Sequence, residues 1–139
     1  MSGRGGDQPG LEKRLARQRS GIASQHRQLN VFVRKISQAL RQGQRRDCET
    51  AVYQLQGALN AHFVVEEQIV FPALHGLNSK LADQIVALER DHERLRENVD
   101  RLALAIVASD ITTAQRNLEE FDTALSAHER SEEQILENT

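Results

Sequence analysis

The chain has 139 residues, a length that suits one domain. Hydrophobic residues make up 39% and charged residues 27%, while Gly and Pro number only 8 and 2, which argues against an all-β fold built on frequent turns. The formal net charge of −2 calls for no nucleic-acid or anionic-membrane partner, and no apolar run approaches the ~18 residues of a membrane span.

The first ten residues, MSGRGGDQPG, read as a flexible tail, and residues 11–139 as the folded domain. Arg4, Lys13, Arg14, Arg17 and Arg19 make the start of the chain basic, which reads as a solvated tail or helix face. No signal-peptide h-region follows Met1, and the lone Cys48 has no internal partner; together these favour a reducing cytoplasm.

Four series of apolar positions follow, each stepping by three or four as on a helix facing a bundle core. The first is Ile22, His26, Leu29, Val33, Ile36, Leu40, on a helix that starts as early as Leu11, with Ser20-Gly21 a weak point. The second is Val52, Leu55, Leu59, His62, Glu66, Ile69. The third is Leu81, Ile85, Leu88, His92, Leu95, Val99, Leu102, Ile106, and the fourth Leu118, Phe121, Leu125, His128, Glu132, Ile135. Gly43 ends the first helix and Asp47 starts the second; Gly76 follows the second, where Pro72 kinks the last turn. Asn78 or Ser79 caps the third helix, and Ser109 or Asp110 the fourth. Connections this short predict an all-α, up-down-up-down antiparallel four-helix bundle.

Six polar residues stand on these seams where leucine is expected: His26, His62, Glu66, His92, His128 and Glu132. A buried carboxylate without a cation costs several kcal/mol, and no Lys or Arg occupies a seam position. The hairpin midpoints place all six at one height, given ~1.5 Å of rise per residue. His62–Glu66 and His128–Glu132 are both i,i+4 pairs, one turn apart on the same face. An offset of 66 residues maps His26 onto His92, His62 onto His128 and Glu66 onto Glu132. Two related helical hairpins would then each give two imidazoles and one carboxylate to a shared pair of metal ions.

Imidazole suits Zn, Cu, Fe and Ni, whereas bridging carboxylates favour Fe and Mn. Six ligands exceed the four of a structural zinc site, and His-x-x-x-Glu differs from the Glu-x-x-His of ferritin-like sites. Histidines hydrogen-bonded to the two glutamates without metal remain a rival reading. A bis-histidine haem would leave two histidines and both carboxylates unused.

The motifs QHRQL around His26, HFVVEEQIVFPAL from His62, DHERL around His92 and HERSEEQIL from His128 resemble the hemerythrin-like (HHE cation-binding) domain family, from about residue 20 to the C-terminus. The resemblance implies a bundle around two Fe ions joined by an oxo or hydroxo bridge. It makes His26, His62, His92 and His128 terminal ligands and Glu66 and Glu132 bridges. Oxygen-carrying members have a fifth histidine one turn before the third-helix ligand. That position here is Leu88, and its repeat partner is Ile22. Glu89 sits beside it, as an exposed helix-face residue or an extra ligand. The chain therefore resembles the branch with four histidines and two glutamates.

Other polar residues read as bystanders. His75 has no repeat partner and reads as a surface turn residue; Cys48 reads as an inert small residue rather than a redox thiol. Glu67 and Glu133 lie off the seam, on solvated faces or in contact with the ligands. Three functions stay open: binding or sensing O2, NO or peroxide; turning over peroxide; and handling iron. The first is favoured, with a small diatomic or peroxide as partner and no nucleic acid or membrane. The chain has no cysteine cluster for iron–sulfur work and no spare carboxylate funnel for storage.

Overall fold

The computed structural model describes the backbone of residues 2–138 and the side chains of residues 9–138. Four helical rods carry the chain, and no strand occurs among the described residues. Helix α1 spans Ser2–Arg41. Helix α2 (Arg45–Val65) passes through a π-helical turn, Glu66–Val70, into α3 (Phe71–Leu77). A 3₁₀ turn at Ser79–Leu81 leads to α4 (Ala82–Val107), and α5 spans Ile111–Glu137. Rods α1, α2–α3, α4 and α5 close a ring in which each touches two neighbours, giving the four-helix bundle that the seams require. No described helix is long and apolar enough to cross a membrane.

The connections follow the local chemistry. Gly43 takes a left-handed φ of 67°, which glycine adopts without strain, and the chain turns there between α1 and α2. Asn78 Oδ1 accepts from the Lys80 N–H at 3.0 Å, and Asp110 Oδ1 accepts from the Thr113 N–H at 3.2 Å. Asp47 falls in the first turn of α2 rather than at its cap, which is Gln44. There its charge faces the positive end of the helix dipole.

Helix α1 reaches back to Ser2, through the segment expected as a tail; Met1 and the Arg4 side chain lie outside what is described. Leu15 and Leu11 carry the seam of Ile22 and His26 further toward the N-terminus. Leu15 is buried and Leu11 lies against a small apolar cluster, so the helix continues across Ser20-Gly21. Each residue added to a helix already docked gains one backbone bond. Arg19 contributes a second anchor by donating to the Leu136 carbonyl in the last turn of α5, whose carbonyls lack helical partners.

The π-turn corrects the second seam. Ile69, expected in the core, is 36% exposed, and Val70 is fully buried in its place. Pro72 has no N–H for the Gln68 carbonyl, and its ring would crowd that carbonyl in a regular helix. The wider turn relieves this: the Phe71 N–H bonds to the Glu66 carbonyl, five residues back. One extra residue per turn moves the buried position from 69 to 70.

Core side chains form two apolar clusters, a larger one that includes Leu29, Leu55, Leu95 and Leu125 and a smaller one that includes Ile22, Val70, Leu88 and Leu136. The six polar seam residues belong to neither.

Truncating Val70 to Ala should cost about 2 kcal/mol in urea unfolding, and Ile69→Ala clearly less. The reverse order would show a regular helix through this turn.

Candidate metal centre

All six seam residues converge. His26 and His62 come from α1 and α2, Glu66 from the π-turn, His92 from α4, and His128 and Glu132 from α5. Their ligating atoms fall into two trios, His26–His62–Glu132 and Glu66–His92–His128, each within 4.8 Å internally. Each trio takes its histidines from one hairpin and its carboxylate from the other.

The carboxylates also reach across. Glu66 Oε1 lies 3.3 Å from His62 Nε2, 2.9 Å from His92 Nε2 and 3.6 Å from His128 Nε2. Glu132 presents Oε1 at 3.4 Å from His26 Nε2 and Oε2 at 3.6 Å from His128 Nε2. Both carboxylates thus stand between histidines of the two trios.

The outer edges of the imidazoles are held as well. His62 Nδ1 pairs with Gln25, His92 Nδ1 with Glu67 Oε2 at 2.6 Å, and His128 Nδ1 with Asp91 Oδ2 at 3.0 Å. His26 Nδ1 faces Glu129 Oε2 at 3.2 Å. An acceptor at Nδ1 fixes the tautomer that leaves Nε2 as a lone-pair donor, the arrangement metal-binding histidines use. Gln25 and Asp91 are repeat partners, each one residue before a seam histidine and each serving the histidine of the next helix.

Apart from His92 Nε2 and Glu66 Oε1, which meet at 2.9 Å, the inward-facing atoms lack hydrogen-bond partners. His26 Nε2, His62 Nε2, His128 Nε2, Glu66 Oε2 and both Glu132 oxygens are buried and unpartnered. Six such atoms in one layer would each cost free energy in a dry core. Imidazole nitrogens and carboxylate oxygens are the donors that a transition-metal cation accepts, so the set fits a metal.

Electrostatics at His62 and Glu66 support the same reading. Burial pushes His62 down from 6.5 to about 4, and the three nearby imidazoles add to this against the pull of Glu66. Burial opposes charge on Glu66, yet His128, His92 and His62 outweigh it and bring the group from 4.5 to about 2. For His128, burial lowers the pKa, but Glu66 and Asp91 prevail and raise it. A neutral His62 beside an ionised Glu66 is the protonation state that metal binding requires.

Sequence reasoning missed Gln25, Asp91 and Glu129, which lie off the seams; the 66-residue repeat, pairing Gln25 with Asp91, was the available signal. Glu67 contacts His92, one of its two expected roles. Glu89 and His75 are exposed and belong to neither trio. Cys48 is buried, and burial raises its pKa, which keeps it a thiol.

Fold and site together define a metal-binding four-helix bundle. The model of the hemerythrin HHE cation binding domain matches residues 19–138, and the chain belongs to that family. No curated protein and no solved structure gives a significant match.

Two outcomes follow. Asp91→Ala, which frees His128 Nδ1, should weaken metal affinity about 10–100-fold, as loss of an outer partner does elsewhere. His75→Ala should bind as wild type; equal losses in a metal titration would refute the site. In the metal-free protein, the depressed pKa of His62 contributes stability above pH 6.5 that is lost as pH falls toward about 4. Glu66 adds a loss below 4.5. His128, raised, acts in the opposite sense. His62→Leu should therefore flatten the acid limb of thermal stability between pH 6.5 and about 4; an unchanged limb would refute the assignment.

Proposed function

We propose that the chain is a non-haem di-iron protein that binds or senses a small oxidant or gas, O2, NO or peroxide, rather than carrying O2 reversibly. The observation that carries this reading is the apolar side chain at the fifth-histidine position, Leu88, matched by its repeat partner Ile22. Leu88 and Ile22 are 2% and 3% exposed, and both belong to the smaller apolar cluster beside the two trios. Neither can donate to a metal.

A ferrous pair held by the two trios would supply electrons and open coordination positions for such a ligand. The chain's own residues set the conditions. His26 and His62 would hold one ion and His92 and His128 the other, with Glu66 and Glu132 shared. Leu88, Ile22, Phe71 and Leu136 limit water on one side of the layer. The buried single thiol of Cys48 suits a reducing cytoplasm.

The test joins metal analysis to a gas cycle. Protein from iron-fed cells should hold close to two irons per chain and absorb in the near ultraviolet without a Soret band. Reduced anaerobically and given O2, it should convert rapidly to the ferric form. An oxygenated band that vanishes under vacuum and returns with O2 would show a carrier and overturn the proposal; so would one zinc per chain or a haem spectrum.

A further inference from the structure

The repeat implies two equivalent half-sites, but the residues around them differ. His92 lies between two aromatic rings, Phe63 at 3.7 Å with planes 10° apart and Phe71 at 5.5 Å with planes 24° apart. The guanidinium of Arg96 sits over Phe63, 5.0 Å from its centroid, and its Nε donates to Asn60 Oδ1 at 3.2 Å. Ring, guanidinium and amide cover His92 on that side, and Glu67, the repeat partner of Glu133, lies 3.8 Å from the same Arg96 guanidinium, which offsets its charge.

The offset of 66 turns Phe63 into Glu129, Phe71 into Glu137, Asn60 into Ser126 and, in the other direction, Arg96 into Asn30. His26 therefore lacks the aromatic cover of His92. It lines a groove of about 380 Å³ between α1 and α5, together with Asn30, Ser126, Glu129 and Glu133. The groove between α4 and α5, about 470 Å³, reaches Leu88 and Asp91 but no ligand. The one between α2 and α4 reaches Arg96 and likewise no ligand.

Within the α1–α5 groove the carboxylates are graded by depth. The Glu133 side chain is 59% exposed, and Glu129 is 10% exposed. Glu133 Oε1 and Glu129 Oε2 lie 3.8 and 3.2 Å from His26 Nδ1. Arg27 and Arg130, both exposed, stand at the rim. At the inner end His26 Nε2 is buried and without a partner, 3.4 Å from Glu132. Carboxylate oxygens can take a divalent ion as its hydration shell is stripped, whereas an apolar wall makes the bare ion pay the full desolvation cost.

We propose that divalent metal reaches and leaves the centre through the α1–α5 groove by way of Glu133 and Glu129, so that the His26–His62–Glu132 half-site exchanges faster than the Glu66–His92–His128 half-site. The inference rests on the two-metal reading above. The two half-sites, alike in their ligands, are unlike in access.

The test is loading of the metal-free full chain with cobalt(II), followed by the growth of ligand-field absorbance in stopped flow, with final uptake measured by elemental analysis. Wild type should load in two phases of one ion each. Ser126→Phe, on the exposed groove wall, should slow the faster phase roughly tenfold, the scale on which clefts set association rates, and leave final uptake unchanged. Glu133→Gln should slow the same phase. Asn60→Phe, at the repeat-related position on the closed face, should load as wild type. Two ions bound at a single rate, no effect of Ser126→Phe, or an equal effect of Asn60→Phe would overturn the inference and leave the two-metal reading standing. Final uptake below two ions would overturn both.

Discussion

Two carboxylates with no solvent exposure, Glu66 and Glu132, set the terms for this bundle. The ion pairs they make are with histidines, and imidazoles cannot all be protonated in so confined a layer. Removing a carboxylate from water costs several kcal/mol unless a cation answers it. Dications between the trios would answer both charges and satisfy the nitrogen and oxygen atoms that otherwise face each other unpartnered. Metal binding and folding are then one free-energy term, since the unfolded chain has no such site.

The surrounding structure serves that layer. Two apolar clusters keep water from it and so strengthen every electrostatic contact inside. Outward, Gln25, Glu67, Asp91 and Glu129 fix the four imidazoles by their Nδ1 edges. The π-turn has a place in this as well. It begins at Glu66 itself, and Val70, its last residue, and Phe71, the next, face inward, with Phe71 covering His92. Unusual helix geometry at a ligand is a common companion of function.

The repeat is kept where chemistry needs it and lost where it does not. The candidate ligands recur at an offset of 66, and so does the Gln25–Asp91 pair that orients His62 and His128. The covering residues do not recur: Phe63 on one side stands against Glu129 on the other. Coordination would be shared by both halves because two ions would need the same donors. Access is not, because one open face is enough for exchange and a second would admit water.

The sequence by itself determined the number of helices, their order and the six converging residues. Seam periodicity is a local property: a residue three or four steps along a helix faces the same way whatever the helix meets. A charged side chain on such a seam announces a partner before the partner is seen. Other features required the tertiary structure. Ile69 gave way to Val70 because Pro72 forced a wider turn, which a fixed period cannot express. The helix across Ser20-Gly21 was held by Leu11 and Leu15 against residues from other rods, among them Leu74 and Leu136. The Nδ1 partners of the histidines come from neighbouring helices, 25 or 37 positions away for His92, His62 and His128, and from the far end of the chain for His26. Which face of the centre is open depends on side chains meeting across helices, and only the assembled bundle brings them together.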